Sequence, residues 1–319
     1  MKLQIEPLIQ EGFPATITFN EELSSDAFME WYEENKETYD HLLLSSGAIL
    51  LRGLNINAAP KFQQLMESLY PNPKSFLDGN STRGKYTSNV YNASEYDAGT
   101  IIQLHTEYSY SNIWPSIICF SCVTAPDHGG QTTVGDCRKI ISLLDDKIVD
   151  EFEKKGITYI RNLHDGSGLG PSWMEAFETD DKEVVEQYCA QNDMQITWGP
   201  TNSLKIIQTR PAIRRHPVTG DKLWFNQVDQ FYPKIYGDEV YLTLLSMVDD
   251  DEEALPMSSR YGDGSEIQKE YIEKIIEALE KVTVPINWQV GDLAIVDNML
   301  SLHGRLPYKG NRKILVSMA

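Results

Sequence analysis

The order of strand-like and helix-like segments restricts the fold of this 319-residue chain more than any other feature. Short apolar runs such as residues 47–53 and 117–123 are separated by turn residues, and the helical patterns fall mainly early and late in the chain. A doubly wound parallel sheet is excluded, because it needs strands and helices in regular alternation and a glycine-rich phosphate loop after a strand. The order predicts a mainly β fold with added helices, a β-sandwich or jelly roll.

Apolar residues recurring every three or four positions predict the helices. The second of them follows Pro60 and places Phe62, Leu65, Met66 and Leu69 on one side. The predicted helices are Ser24–Tyr39, the segment after Pro60, Ile140–Lys155, residues 181–192 and Glu266–Val282. No internal repeat and no linker-like segment divides the chain, so we expect one domain over residues 1–319.

Composition narrows the class of protein. The net charge of −19 and the pI near 4.7 argue against binding to nucleic acid or to an anionic membrane, since both require basic surface. Four cysteines, no signal peptide and no apolar run long enough for a membrane span predict a cytoplasmic location. Cys119 and Cys122 form a C-x-x-C, but residues three apart on a strand face opposite sides, which argues against a shared metal.

A histidine and a carboxylate stand two residues apart in the run Gln103–Tyr110. Side chains alternate along an extended segment, so His105 and Glu107 are predicted to share a face. His303 is the candidate third ligand, because two histidines and one carboxylate leave open positions on a metal and suit non-haem Fe(II) oxygenases. A lone His-x-Glu pair arises by chance in many chains, so the other segments decide whether this pair indicates a metal site.

Those segments carry a family resemblance. In their order and spacing, the chain resembles the taurine dioxygenase and clavaminate synthase superfamily of Fe(II)/2-oxoglutarate-dependent oxygenases, and within it the branch of the syringomycin-pathway aspartyl hydroxylase. The matching segments are His105-Thr106-Glu107, Gly129-Gly130-Gln131-Thr132, Trp224-Phe225-Asn226, Gly262-Asp263-Gly264, Trp288-Gln289-Val290-Gly291-Asp292, and Asp297-Asn298 through His303-Gly304-Arg305 to Arg312.

The resemblance implies a double-stranded β-helix, a jelly roll, with Fe(II) held by His105, Glu107 and His303. It also implies that O2 and 2-oxoglutarate are consumed, that an unactivated C–H bond is hydroxylated, and that succinate and CO2 are released. Asn298 or Asp297 is expected to orient a ligand histidine. A carboxylate at position 107 favours hydroxylation, or desaturation, over halogenation.

The far carboxylate of 2-oxoglutarate needs a cation, and the planar guanidinium of arginine fits a carboxylate better than lysine does. By resemblance, Arg312 is the expected anchor and Thr132 its hydroxyl partner. Arg305 and Lys313 stay open as alternatives, because the loop after the distal histidine varies in length in the family. For Arg305 we favour a structural position against Tyr308.

The substrate is the least determined part. Gln103, Tyr108, Ser109, Trp224 and Asn226 are predicted to contact it, since amide and aromatic side chains suit a small polar molecule; for Trp224, a place in the core is an equal alternative.

The branch resemblance implies an amino-acid-like substrate, as in natural-product biosynthesis, either free or tethered to a carrier protein. The net charge opposes an acidic carrier unless the basic cluster at residues 210–216 forms a local patch, so a free substrate is preferred. The alternatives are a taurine-type enzyme scavenging sulfonates or carboxylates, a desaturase with the same iron site, and a non-enzymatic jelly-roll binding protein.

Overall fold

The computed structural model describes residues 6–80, 84–93 and 96–319. Its strands, in chain order, are β1 (Leu8–Gln10), β2 (Ala15–Leu23), β3 (Ala48–Leu54), β4 (Tyr91–Asn92), β5 (Ile102–His105), β6 (Ile117–Thr124), β7 (His128–Gly129), β8 (Thr132–Asp136), β9 (Ile157–Leu163), β10 (Gln195–Trp198), β11 (Leu204–Arg210), β12 (Ile213–Arg215), β13 (Lys222–Trp224), β14 (Met257–Tyr261), β15 (Val284–Ile286), β16 (Leu293–Asp297), β17 (Ser301–Arg305), β18 (Tyr308–Lys309) and β19 (Lys313–Met318). Its α-helices are α1 (Ser25–Ser46), α2 (Ala59–Leu69), α3 (Cys137–Leu143), α4 (Asp146–Lys155), α5 (Trp173–Phe177), α6 (Lys182–Gln191), α7 (Asp238–Ser246) and α8 (Lys269–Val282).

Two sheets enclose the main core. The larger has the strand order β1-β2-β3-β16-β6-β19-β4, and the smaller has the order β15-β8-β17-β5. Inward side chains from both sheets, among them Phe120, Val134 and Leu302, belong to one continuous apolar cluster. Sheets packed face to face over such a core form a sandwich. The fold is the predicted jelly roll, mainly β with added helices.

Strand β6, in the interior of the larger sheet, is buried on both faces. Ile118, Phe120 and Cys122 join the core between the sheets, whereas Cys119 faces the opposite cluster, which α1 and α2 complete. The C-x-x-C pair therefore lies on opposite sides of the sheet, as the period of two predicts.

A third layer extends the sandwich. Strands β10-β11-β9-β14 form a further sheet, and α5 and α6 pack on it through a separate apolar cluster that includes Trp173, Val185 and Leu204. The opposite face of β9 lies towards the main core, where Tyr159 packs against Phe231. This layer therefore provides one wall of the site described below.

The structure contains the predicted helices, but their first and last residues differ from the predicted ones. The first continues to Ser46 and stops at Gly47, whose φ of 85° favours glycine. The predicted helix Ile140–Lys155 is two helices, α3 and α4, because Asp145 adopts an extended conformation between them. Helix α7 was not predicted; none of its residues is buried, so it lacks the apolar stripe on which the other predictions rest. Within the described ranges, no helix combines the length and the apolarity that a membrane span requires.

Candidate active site

Three side chains from β5, the turn after it and β17 meet at one end of the smaller sheet. His303 pairs directly with His105 across the two antiparallel strands, and their rings lie 4.3 Å apart between centroids. Glu107 lies just past the end of β5, in a turn rather than in the predicted strand. Its Oε2 is 3.9 Å from His105 Nε2 and 3.4 Å from His303 Nε2. The three ligand atoms all lie within 4.8 Å of one another.

The surroundings of His105 identify Nε2 as its ligand atom. Nδ1 lies 2.9 Å from the carbonyl oxygen of Gln103, which only accepts hydrogen bonds. Nδ1 therefore carries the proton, and the lone pair of Nε2 points towards Glu107. On β17, Gly304 permits the close approach of β5, because a Cβ there would lie 2.5 Å from the carbonyl oxygen of Ile102.

Asn298 holds the backbone of Glu107 from both sides. Its Oδ1 accepts from Glu107 N at 2.7 Å, and its Nδ2 donates to the carbonyl oxygens of Glu107 at 2.8 Å and Pro115 at 2.9 Å. The prediction that Asn298 or Asp297 orients a ligand histidine was wrong. Asp297 lies 3.2 Å from Nε2 of His216, which is not one of the three ligands.

The donor set fits Fe(II). Two imidazole nitrogens and one carboxylate oxygen on one side of a point are the ligands of a facial triad, which leaves positions open for other molecules. His303 is buried, and its Nδ1 has no hydrogen-bond partner in the described part of the chain. A histidine buried in this way is best compensated through its other nitrogen, Nε2, which faces Glu107.

The three ligands open on a cavity of about 250 Å³ whose wall also includes Arg312 and Thr132. Arg312 Nε donates to the carbonyl oxygen of Gly130 at 2.9 Å, and Nη2 donates to Thr132 Oγ1 at 3.3 Å. The same hydroxyl accepts from Trp288 Nε1 at 3.0 Å, so its own proton is left to donate elsewhere. A side chain on Gly130, whose φ is 68°, would contact Arg312.

Arg312 is a cation without a counterion in the described structure. No acidic side chain in those ranges lies within 4.0 Å of it. Burial, together with the like charge of Arg305, lowers the pKa of Arg312 to about 10, so the guanidinium stays charged at neutral pH. A partly buried cation in a cavity wall favours an anion, and a carboxylate suits its planar donors.

The two alternative anchors have other contacts. Arg305 donates to backbone carbonyl oxygens within residues 96–100 and lies over the ring of Tyr308, 5.2 Å from its centroid. The structural position favoured for Arg305 agrees with these contacts. Lys313 lies outside the cavity wall, and its Nζ is 4.2 Å from the ring centroid of Tyr86.

Of the residues predicted to contact substrate, Gln103 lines the cavity. Tyr108 and Ser109 turn away from it, because the chain leaves β5 before reaching them. Tyr108 has a φ of 57° and borders a separate cleft, and buried Ser109 donates to the carbonyl oxygen of Thr106 at 3.2 Å. Neither is part of the cavity wall, so their prediction as substrate contacts is corrected.

Trp224 and Asn226 are also absent from the cavity wall. Trp224 is 1% exposed and packs on Phe152 with ring centroids 5.2 Å apart. Asn226 Nδ2 donates to the carbonyl oxygen of Ala212 at 2.9 Å, so it fastens the turn after β13. Their prediction as substrate contacts is corrected: both side chains serve the core. Sequence reasoning missed Tyr110 and Gln230, which line the cavity with Gln227.

The basic cluster at residues 210–216 is not an exposed patch. Arg210 is 5% exposed and donates to backbone carbonyl oxygens. Arg214 stacks on Trp114 at 4.5 Å, and His216 is buried. Of the basic residues in this cluster only Arg215 is exposed, so the sequence-based suggestion of a carrier-binding patch here is wrong.

Comparison with known proteins agrees with this geometry. Residues 10–318 match the family described as taurine catabolism dioxygenase TauD, TfdA. Dapdiamide synthesis protein DdaC of Enterobacter agglomerans is 35% identical over 314 residues, which are 98% of this chain and 93% of that protein. A clavaminate synthase-like protein of Arabidopsis thaliana is 28% identical over 304 residues, 93% of this chain and 88% of that protein.

Solved structures share the fold. An asparagine oxygenase in complex with Fe(II), 3-hydroxyasparagine and succinate has a TM-score of 0.56 at 14% identity, covering 93% of this chain and 82% of that one. PvcB of Pseudomonas aeruginosa has a TM-score of 0.54 at 16% identity, covering 100% and 91%. The chain therefore belongs to the taurine catabolism dioxygenase TauD, TfdA family of Fe(II)- and 2-oxoglutarate-dependent dioxygenases.

Proposed function

We propose that the protein hydroxylates an unactivated C–H bond of a free, amino-acid-like small molecule, with Fe(II) bound by His105, Glu107 and His303. The observation that carries this proposal is the convergence of the three ligand atoms within 4.8 Å, in a cavity that also contains Arg312. When bound, Fe(II), 2-oxoglutarate and O2 supply the oxidising chemistry, with succinate and CO2 as by-products.

The chain's own residues bind 2-oxoglutarate and orient the metal ligands. Arg312 would donate hydrogen bonds to the far carboxylate of 2-oxoglutarate, and the hydroxyl of Thr132 would donate a further hydrogen bond to it. The carbonyl oxygen of Gln103 keeps the proton of His105 on Nδ1. The cavity limits water around the reacting C–H bond. Because Glu107 fills the carboxylate position, halogenation is not proposed.

The substrate class is supported by the cavity wall and by relatives. Gln103, Gln227 and Gln230 offer amide groups, which suit a small polar molecule. One relative is named for dapdiamide synthesis, and one structural neighbour holds 3-hydroxyasparagine with succinate. A free substrate is preferred to one on an acidic carrier protein, because the chain carries a net charge of −19 and the 210–216 cluster is largely buried.

The test is succinate release with Fe(II), 2-oxoglutarate and a panel of amino acids, small amides and sulfonates. Release above background with an amino-acid-like compound, together with a product that has gained one oxygen atom, is the expected result. His105→Ala and Glu107→Ala should abolish the release and weaken Mn(II) binding measured by calorimetry. His41→Ala, an exposed histidine on α1, is the matched control and should change neither.

Normal turnover by His105→Ala or Glu107→Ala would exclude the ligand assignment. Two other outcomes identify the alternatives within the same family. Release with sulfonates alone would favour the scavenging function that the family description suggests. A product that has lost two hydrogen atoms instead of gaining oxygen would indicate desaturation.

A further inference from the structure

Four carboxamide side chains line the same cavity as the metal ligands: Asn80, Gln103, Gln227 and Gln230. Asn80, Gln227 and Gln230 are each held at one end of the amide by a hydrogen bond to the protein, so the other end remains for a ligand. Which end is held decides whether the cavity presents a donor or an acceptor at that position.

The two glutamines present acceptors. Gln227 is 3% exposed, and its Nε2 donates to the carbonyl oxygen of Thr106, next to Glu107 in sequence. Gln230 Nε2 donates to the carbonyl oxygen of Gln103 at 3.4 Å. Neither Oε1 has a partner within residues 6–80, 84–93 and 96–319. The oxygens of both amides are thus available to accept hydrogen bonds from a ligand.

Asn80 presents the opposite group, because Arg161 holds its oxygen. Arg161 Nη1 donates to Asn80 Oδ1 at 3.0 Å, which turns the Nδ2 donors away from the guanidinium. The guanidinium is fixed: Arg161 is 1% exposed, pairs with the buried carboxylate of Asp78 and lies over the ring of Tyr110 at 5.1 Å. Asn80 Nδ2 has no partner in the described ranges, so a donor remains on this wall.

Each charged group of the cavity wall already has an assigned role or hydrogen-bond partners. His105, Glu107 and His303 form the metal site, Arg312 is assigned to 2-oxoglutarate, and Arg305 donates to three carbonyl oxygens. A charged substrate group beside the amides would therefore be desolvated without an opposite charge, which is costly. An uncharged group with one acceptor and two donors matches the wall without that cost.

We propose that Asn80, Gln227 and Gln230 recognise a primary carboxamide on the substrate, with the carboxamide oxygen accepting from Asn80 and its NH2 donating to the glutamines. The proposal rests on the proposed function and names the substrate class of that site. Arg161 is a positioning residue, since it acts only through the orientation of Asn80.

The experiment compares ligands that differ only in this group. The first series is L-aspartate, L-asparagine and L-2,4-diaminobutyrate, and the second is L-glutamate, L-glutamine and L-ornithine. Binding is measured by calorimetry to the protein loaded with Fe(II) and 2-oxoglutarate without oxygen, and succinate release is measured in air. In at least one series the amide should bind about tenfold or more tightly than the acid and the amine, as for sites built to hydrogen-bond a substrate group.

Asn80→Asp changes the polarity of the wall while keeping an oxygen for Arg161. This variant should weaken amide binding about tenfold and improve the amine relative to the amide, because a carboxylate replaces the donor. Asn80→Ala should weaken amide binding without the gain for the amine. Gln195→Glu, an exposed amide on β10, is the matched control and should keep the wild-type order.

The proposal is overturned if the acid or the amine binds the wild type as well as the amide in both series, if none of the six binds, or if Asn80→Asp keeps the wild-type order. Its failure differs from that of the proposed function. Iron-dependent succinate release with an amino acid lacking a carboxamide would retain the hydroxylase and remove only the carboxamide assignment. No release with any amino-acid-like compound would contradict the proposed function itself.

Discussion

At the scale of single residues, the guanidinium of Arg312 makes the clearest prediction. A lysine there keeps the charge but loses the paired donors, and a hydrogen bond to a charged group contributes about 1.5–3 kcal/mol. Arg312→Lys should therefore raise the KM for 2-oxoglutarate roughly 10- to 100-fold, with an unchanged requirement for Fe(II). Steady-state succinate release measures both. Lys313→Ala is the control; if the KM rises there and not in Arg312→Lys, the anchor is misassigned.

A second residue-scale prediction concerns Asp229, which is 3% exposed. Burial raises its pKa from 3.8 to about 7, although backbone hydrogen bonds oppose the shift. Between these values the folded protein binds a proton that the unfolded chain has released, so the free energy of unfolding falls as pH rises from about 4 to about 7. Asp229→Asn removes this loss, which amounts to at most about 4 kcal/mol.

Urea unfolding at pH 5 and pH 8 tests this. Asp229→Asn should gain stability over the wild type at pH 8 and gain clearly less at pH 5. The exposed Asp180→Asn should behave as the wild type at both values. An equal difference between variant and wild type at the two pH values would show that Asp229 does not titrate in this range.

At the scale of elements, Asn298 joins the β16–β17 connection to the turn after β5. Two of its three hydrogen bonds hold the backbone of Glu107 beside the histidines, although Glu107 has already left the strand, and the third goes to Pro115. Removing such a supporting group typically lowers metal affinity 10- to 100-fold. Asn298→Ala should therefore weaken Mn(II) binding roughly 10- to 100-fold in calorimetry.

Asn112→Ala is the matched control, because it also removes an amide that bonds backbone and side-chain oxygens, but away from the cavity. It should lower stability without changing metal affinity. Unchanged Mn(II) binding in Asn298→Ala would mean that the strand pairing of His105 with His303 suffices to position Glu107.

Local sequence patterns account for much of the secondary structure. The apolar spacing behind Pro60 gives α2 with all four predicted residues buried. The break between α3 and α4, where Asp145 is extended, escaped prediction, and so did the turn at Glu107, whose backbone is held by Asn298 from a distant part of the chain. The same is true of Trp224 and Asn226, whose aromatic and amide groups suit either a binding site or a core.

At the scale of the whole molecule, the end of the sequence holds the larger sheet together. Strand β19 lies between β6 and β4. Its Ile314 and Val316 belong to the core between the two sheets, and Leu315 belongs to the cluster that α1 and α2 complete. Deleting residues 313–319 leaves Arg312 but exposes both cores, and each buried aliphatic side chain contributes about 1.5–3 kcal/mol. We expect the deletion to abolish cooperative folding, measured by circular dichroism and thermal unfolding.

Deleting residues 1–10 is the contrasting control. It removes β1, an edge strand whose three residues are exposed, and should preserve cooperative unfolding. A 313–319 deletion that unfolds cooperatively and still binds 2-oxoglutarate would contradict the central role of β19. The single-domain organisation and the cytoplasmic location stay predictions.

The sequence by itself determined which chemical groups are available and the fold class that carries them. The His-x-Glu pair, the distal histidine and Arg312 stand in family order, and period-two alternation assigned the faces of β6. Only the tertiary structure decided which groups meet. The pairing of His105 with His303, the hold of Asn298 on Glu107 and the orientation of Asn80 by Arg161 each join segments far apart in the chain. Local periodicity carries no information about such contacts, because strand register and sheet closure arise from the packing of the whole core.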